Sequence, residues 1–219
     1  VEAVRGVSFS IRAGEVLALV EALEAEAITF HLARHETAAG FLAEGHWHAT
    51  GSLPVLVTTL GPGVTNAATA IAHAAQDRVP LIVLTGCVDA DVAESFTHQV
   101  FDHQAFLRPI VKASLRAAPG ATGAVIAKAI AIATDAQPGP VHVDVPIGVA
   151  EGPAAEPATP RPPRVGAGAA EAALTADAAR LLAAAERPLA IAGLDAVLED
   201  AGPAVTAFCR AEGIPLVTR

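Results

Sequence analysis

Four of the chain's eight histidines, His31, His35, His46 and His48, fall within residues 30–51 (FHLARHETAAGFLAEGHWHATG) and flank Glu36 and Glu44. Imidazoles and carboxylates at that density could bind a divalent metal or move protons. A shared metal fails on spacing. His31 belongs to a run, AITFHLA (27–33), that reads as a strand, and residues four apart on a strand are separated by about 13 Å. The H-E-x-x-H zinc pattern is broken because Ala39 stands where the second histidine is needed. His46 and His48, two apart on a predicted helix, face different directions. These histidines read as satisfied or solvated side chains, and no metal ligand is assigned. Glu36 differs because it stands where the strand passes into the helix. Ligands of parallel α/β sheets collect at the carboxyl ends of strands, so an acid there is placed for proton transfer. It also complements the positive end of the helix dipole, and position alone does not separate the two roles.

The next strand end carries TTLGPGVTN, residues 58–66. Gly61 and Gly63 around Pro62 allow a sharp turn and close backbone approach to a ligand, with Asn66 starting the helix that follows. A third strand ends at LTGCV, bringing Gly86 and Cys87 to the same edge. With no base assigned to it, Cys87 reads as a small packed residue.

Those strand ends require a sheet. The apolar runs LPVLVTT (53–59), PLIVLTG (80–86) and GPVHVDVP (139–146) are continuous rather than alternating. Such strands belong to a parallel sheet covered on both faces, so the class is α/β, three-layer and doubly wound. Ala-rich stretches predict helices at about 36–49, 66–76 and 121–134. Gly51 is placed as the C-terminal cap of the first, and Thr65 or Asn66 as the N-terminal cap of the second. These elements make a first domain of residues 1–150. The proline-rich text EGPAAEPATPRPPRVGAGAA begins an extended linker, 151–172. Beyond it, a helix (175–186), the strand PLAIAGL, a helix (200–212) and the strand IPLVT open a second α/β domain, 173–219, too short to close a sheet by itself.

Composition bounds the function. The 219 residues are 53% hydrophobic and 17% charged, enough for a sizeable core. A formal charge of −9 opposes nucleic acid and anionic membranes, and no apolar run reaches the length of about 18 residues that spans a bilayer. Cys87 and Cys209 form neither a disulfide framework nor a zinc pattern, which points to a reducing, cytoplasmic setting. The sequence contains no methionine and starts at Val1, so a fragment of a longer reading frame is expected. VEAVRGVSFSIRAGEVLALV resembles the strand that leads into the phosphate loop of ABC-transporter ATPases. The continuation EALEAEAI lacks G-x-x-x-x-G-K-[ST], which excludes an ATPase.

Four segments in order, RHETAAGFLAEGHWHATG, VTTLGPGVTNAATAIAHAAQDRVPLIVLTG, THQVFDHQAFLRPIVKAS and AIATDAQPGPVHVDVP, resemble the pyrimidine-binding domain of thiamine-diphosphate enzymes of the acetolactate synthase-like group. The likeness covers about residues 15–150, and the segment from about 175 resembles the start of that family's central domain. It implies the thiamine-diphosphate-binding fold and an enzyme that decarboxylates or ligates 2-oxo acids. Glu36 then matches the glutamate that contacts N1′ of the aminopyrimidine ring and activates the cofactor. Gly61, Pro62, Gly63 and Asn66 would lie beside that ring, and Gln99 matches a glutamine near the substrate. Asp102, His98 and His103 read equally as solvated loop side chains.

The family's diphosphate-binding GDG…N motif, which holds Mg²⁺, is absent from these residues, so the piece alone is expected to be inactive. The resemblance further implies a homodimer or homotetramer at full length, and nothing here assigns FAD. A non-catalytic α/β binding or regulatory module that kept the fold without the diphosphate domain is the alternative.

Overall fold

Val/Ile/Leu runs bounded by Pro and Gly pair as strands, and the Ala-rich segments between them form helices. The computed structural model describes residues 28–95, 98–135, 137–152 and 172–218. By packing, the chain divides into two compact units at Val165 and Gly166, and each is described by itself.

The first unit runs α1 (Glu36–Thr50), β1 (Val55–Thr58), α2 (Pro62–Gln76), β2 (Leu81–Cys87), α3 (His103–Leu107), β3 (Ala113–Arg116), α4 (Thr122–Thr134), β4 (Pro140–Pro146) and α5 (Ile147–Ala150). Its four strands are parallel in the order β1-β2-β4-β3. The β1–β2 connection steps one way across the sheet and the β3–β4 connection steps back. Right-handed crossovers therefore put α2 and α4 on opposite faces, giving the expected three layers.

Register divides the sheet's chemistry between those faces. Ile82 pairs with Val141, and Leu84 with Val143, which pairs in turn with Leu115. This row packs under Ala129 and Ala133 of α4. The opposite face carries Leu56, Leu81 and Val83 against Val64, Ala67 and Ile71 of α2 and Leu107 of α3. Period-2 alternation puts Thr85, Ser114, Arg116, His142 and Asp144 on that second face too, toward the strands' carboxyl ends.

Glu36–Thr50 and the Gly51 cap follow the expectation. Gly51 takes φ 68° and its N–H donates to Trp47 O at 2.8 Å. Three expectations need correction. Residues 28–33 form no strand: their N–H and C=O groups have no partner strand among the described residues, and Ile28, Phe30 and Leu32 are exposed. The second helix begins at Pro62 rather than Asn66. Proline at the first turn loses no intrahelical bond, and Gly61, at φ 62°, provides the N-cap position without a side-chain cap. Thr65 and Asn66 thus lie inside the helix, where Thr65 Oγ1 donates to Pro62 O at 3.0 Å. The helix expected at 175–186 spans Ala172–Ala183 instead.

The proline-rich stretch 153–171 and the N-terminal 1–27 lie outside the described residues. The second unit comprises α6 (Ala172–Ala183), β5 (Ala190–Ala192), α7 (Leu194–Leu198), α8 (Gly202–Ala211) and β6 (Leu216–Thr218), with β5 and β6 parallel. Cys209 and Ile214 are its buried apolar residues among those described. No described helix is long and apolar enough to cross a membrane.

Candidate functional site

Helices α1 and α2 lie side by side, and their contacts repeat one turn at a time. Glu36 meets Asn66, Gly40 meets Ala70, and Glu44 meets His73. Gly40 sets the spacing: a Cβ there would stand 2.4 Å from the Ala70 Cβ, so only hydrogen fits between the helices. That close approach brings Asn66 Nδ2 to donate to Glu36 Oε2 at 3.1 Å, while Thr37 Oγ1 donates to the Asn66 carbonyl. Glu36 is half-buried at the first turn of α1, where the helix's positive end favours a carboxylate. One oxygen is held by Asn66. The strand-to-helix junction expected for Glu36 is thus a loop-to-helix junction.

The histidines of the opening stretch go elsewhere. His35 is the N-cap, its Nδ1 accepting from Thr37 N–H at 3.2 Å, and His31, His46 and His48 are exposed. Glu44 points toward α2, with His73 Nδ1 3.0 Å from both carboxylate oxygens and His48 Nε2, on its own helix, at 3.7 Å.

The Gly61-Pro62-Gly63 turn follows β1 directly. Gly61 abuts Gln99, whose backbone takes φ 61°; a Cβ at position 61 would lie 2.5 Å from the Gln99 carbonyl oxygen. At Gly63 a Cβ would lie 2.8 Å from Thr59 Cγ2. Behind this turn the Thr58 hydroxyl is buried with no hydrogen-bond partner among the described residues. The Gln99 side chain is exposed. Glu36 with Asn66, and Gly61 with Gln99, are therefore brought to one end of the sheet.

Sequence reasoning missed what lies beneath. His103, read equally as a site residue or a solvated loop side chain, is 4% exposed and starts α3. Its Nε2 accepts from Gly61 N–H at 3.1 Å, and its Nδ1 lies 2.9 Å from Asp144 Oδ1. Thr85 Oγ1 donates to the same oxygen at 2.9 Å and lies 2.7 Å from His142 Nε2, while Ser114 Oγ lies 2.6 Å from His142 Nδ1. Burial opposes the charge on Asp144, but the hydrogen bond from His103, the His142 ring 3.4 Å away and the hydrogen bond from Thr85 outweigh it and hold the carboxyl well below the usual carboxylate range. The one available signal was His142 and Asp144 at i and i+2 in an otherwise apolar strand, where period 2 puts both on one face.

The other two loop candidates separate. Asp102 caps α3 by accepting Ala105 N–H at 2.8 Å, and His98 is exposed. Cys87 is buried at the end of β2, and burial, reinforced by the Asp144 charge, pushes its thiol up to about 12. It stays a thiol, which fits packing and not nucleophilic chemistry.

The residues fit a flat aromatic cofactor ring at this edge. Among the described residues, one oxygen of a half-buried carboxylate and a hydroxyl behind the turn have no partner, and the turn has glycines on both sides of a proline. Comparison with known proteins agrees. Residues 5–106 match the family described as thiamine pyrophosphate enzyme, N-terminal TPP binding domain. Over 96% of its length the chain is 37% identical to a protein of Pseudomonas aeruginosa named "probable 2-ketoarginine decarboxylase", covering 38% of that protein. It is 32% identical over 97% of its length to an acetolactate synthase of Mycobacterium avium, covering 35% of it. An acetolactate synthase isozyme 3 large subunit of Escherichia coli is 40% identical across 63% of the chain, which covers 24% of that subunit. The chain thus spans little more than a third of the relatives it matches most fully. Fold, strand-end site and sequence relationship agree: the chain belongs to the thiamine pyrophosphate enzyme family, in its acetolactate synthase-like group.

Proposed function

We propose that this chain supplies the pyrimidine side of a thiamine-diphosphate enzyme that decarboxylates or ligates 2-oxo acids, with Glu36 as the group that activates the cofactor. When bound, the cofactor supplies an electron sink for the bond broken beside the substrate carbonyl. The observation that carries the reading is the Glu36–Asn66 hydrogen bond beside the Gly61-Pro62-Gly63 turn. Asn66 holds Oε2 and thereby orients the carboxyl, leaving Oε1 to share a proton with ring nitrogen N1′. Gly61 and Gly63 carry no side chains, so the turn offers the ring its backbone and the exposed Pro62 ring. Gln99, exposed beside Gly61, faces the 2-oxo acid.

In the same reading Mg²⁺ and the diphosphate are held by residues outside this chain, and the full protein works in the cytoplasm as a homodimer or homotetramer. Support comes from the family match and from relatives named as a decarboxylase and as synthases.

The direct test is calorimetry of the full-length protein with thiamine diphosphate and Mg²⁺, together with turnover of 2-oxo acids, for wild type and Glu36→Gln. A proton-moving carboxyl contributes about 10²- to 10⁴-fold, so the variant should lose at least about a hundredfold in turnover while staying folded. Unchanged turnover would overturn the role of Glu36.

A further inference from the structure

The polar cluster under the turn has a defined hydrogen-bond direction. Gly61 N–H can only donate, so His103 Nε2 must present its lone pair. The proton of neutral His103 then sits on Nδ1 and is donated to Asp144. On the other side Thr85 spends its hydrogen on Asp144, so it accepts from His142 Nε2–H, and His142 Nδ1 accepts from Ser114. Two chains of donors converge on a single carboxylate, and each member is satisfied.

His103 Nδ1, His142 Nε2 and Asp144 Oδ1 lie close enough together to suggest a metal centre. The direction of the chain speaks against it. A neutral imidazole bound through Nδ1 carries its proton on Nε2, which would set N–H against the N–H of Gly61. The turn as folded excludes that arrangement.

We propose that His103 is a positioning residue for the cofactor turn: it accepts the Gly61 N–H and holds Gly61-Pro62-Gly63 in its ligand-facing shape, while Asp144 fixes the required tautomer. The contact spans 42 residues in sequence and joins the loop after β1 to the helix that opens near the end of β2. Gly61 is the N-cap of α2, a position whose N–H has no intrahelical acceptor and needs an outside one. Buried His103 is that acceptor. Its value for binding rests on the proposed function; its hold on the turn does not.

The test compares His103→Leu and His103→Gln in the full-length protein. Glutamine can accept from Gly61 N–H but does not titrate; leucine fills the space and accepts nothing. Two quantities are read: hydrogen exchange of a peptide containing Gly61, and the dissociation constant for thiamine diphosphate at fixed Mg²⁺. His103→Leu should speed exchange at Gly61 and weaken cofactor binding about tenfold, the equivalent of one net hydrogen bond, with His103→Gln restoring both.

Equal effects of the two variants, or unchanged exchange in His103→Leu, would overturn the proposal. If His103→Leu fails to fold, His103→Gln decides: wild-type exchange and affinity support the assignment, and losses in both overturn it. If wild type binds no thiamine diphosphate, the functional reading fails, and exchange at Gly61 still judges His103.

Discussion

Two polar contacts stand beside the Gly61-Pro62-Gly63 turn, and they are built in opposite ways. The Glu36–Asn66 pair is half-open, set by the packing of two helices, with one carboxylate oxygen uncommitted among the described residues. The Gly61–His103–Asp144 chain is buried, with both ring nitrogens of His103 engaged. An open pair adds little to stability because water competes for it, which leaves it free to serve a ligand. A buried chain is costly to interrupt, since each removed partner strands a desolvated group. In the proposed function the site thus separates holding from reacting.

Removing the buried acceptor should have the largest effect. Asp144→Ala leaves His103 and Thr85 without their shared acceptor, and a loss of about 3–5 kcal/mol is expected in denaturant unfolding. Acid should act in the same direction on wild type. Because the folded-state pKa of Asp144 lies below its ordinary 3.8, its contribution is complete above that value and is lost as pH falls below it. Unfolding curves at stepped pH should show the extra stability of wild type over Asp144→Ala shrinking in that window. A gap that stays constant there would mean Asp144 is not ionised in the fold.

An intermediate effect is expected where packing sets the open pair. Gly40→Ala puts a methyl against the Ala70 Cβ and must spread α1 from α2, at a cost of about 1–3 kcal/mol. It should also weaken cofactor binding by moving Glu36 from Asn66. Stability lost with affinity intact would show that helix spacing does not place the carboxylate.

The smallest effect belongs to the open pair itself. Asn66→Ala should change unfolding by about 0.5–1.5 kcal/mol. A cost as large as that of Asp144→Ala would erase the distinction between the two contacts.

The sequence carried the parts of this arrangement that depend on neighbours along the chain. The continuous runs at 55–58, 81–87 and 140–146 declared a parallel sheet, and the Glu36 start and Gly51 stop of α1 were legible from capping chemistry. The strand Ala113–Arg116 escaped notice because four residues, ASLR, with two of them polar, carry no apolar run. AITFHLA misled because apolar residues signal a strand only where a partner exists to pair with it. Glu36, Asn66 and Gln99 came from the motifs, whereas His103 and Asp144 are 41 residues apart and meet only through the β2–β4 register and the fold of α3. No local pattern reports such a meeting.

The contact between Gly61 and Gln99 bears on how the domain can be re-engineered. Position 61 has room for hydrogen alone because the Gln99 backbone, itself in the left-handed region, occupies the place of a Cβ. The loops after β1 and β2 therefore fit each other as a lock fits its own key. A designer who grafts a new loop around position 99 from another member of the family must carry the matching 58–66 turn with it. Exchanged singly, either loop meets a neighbour cut for a different shape.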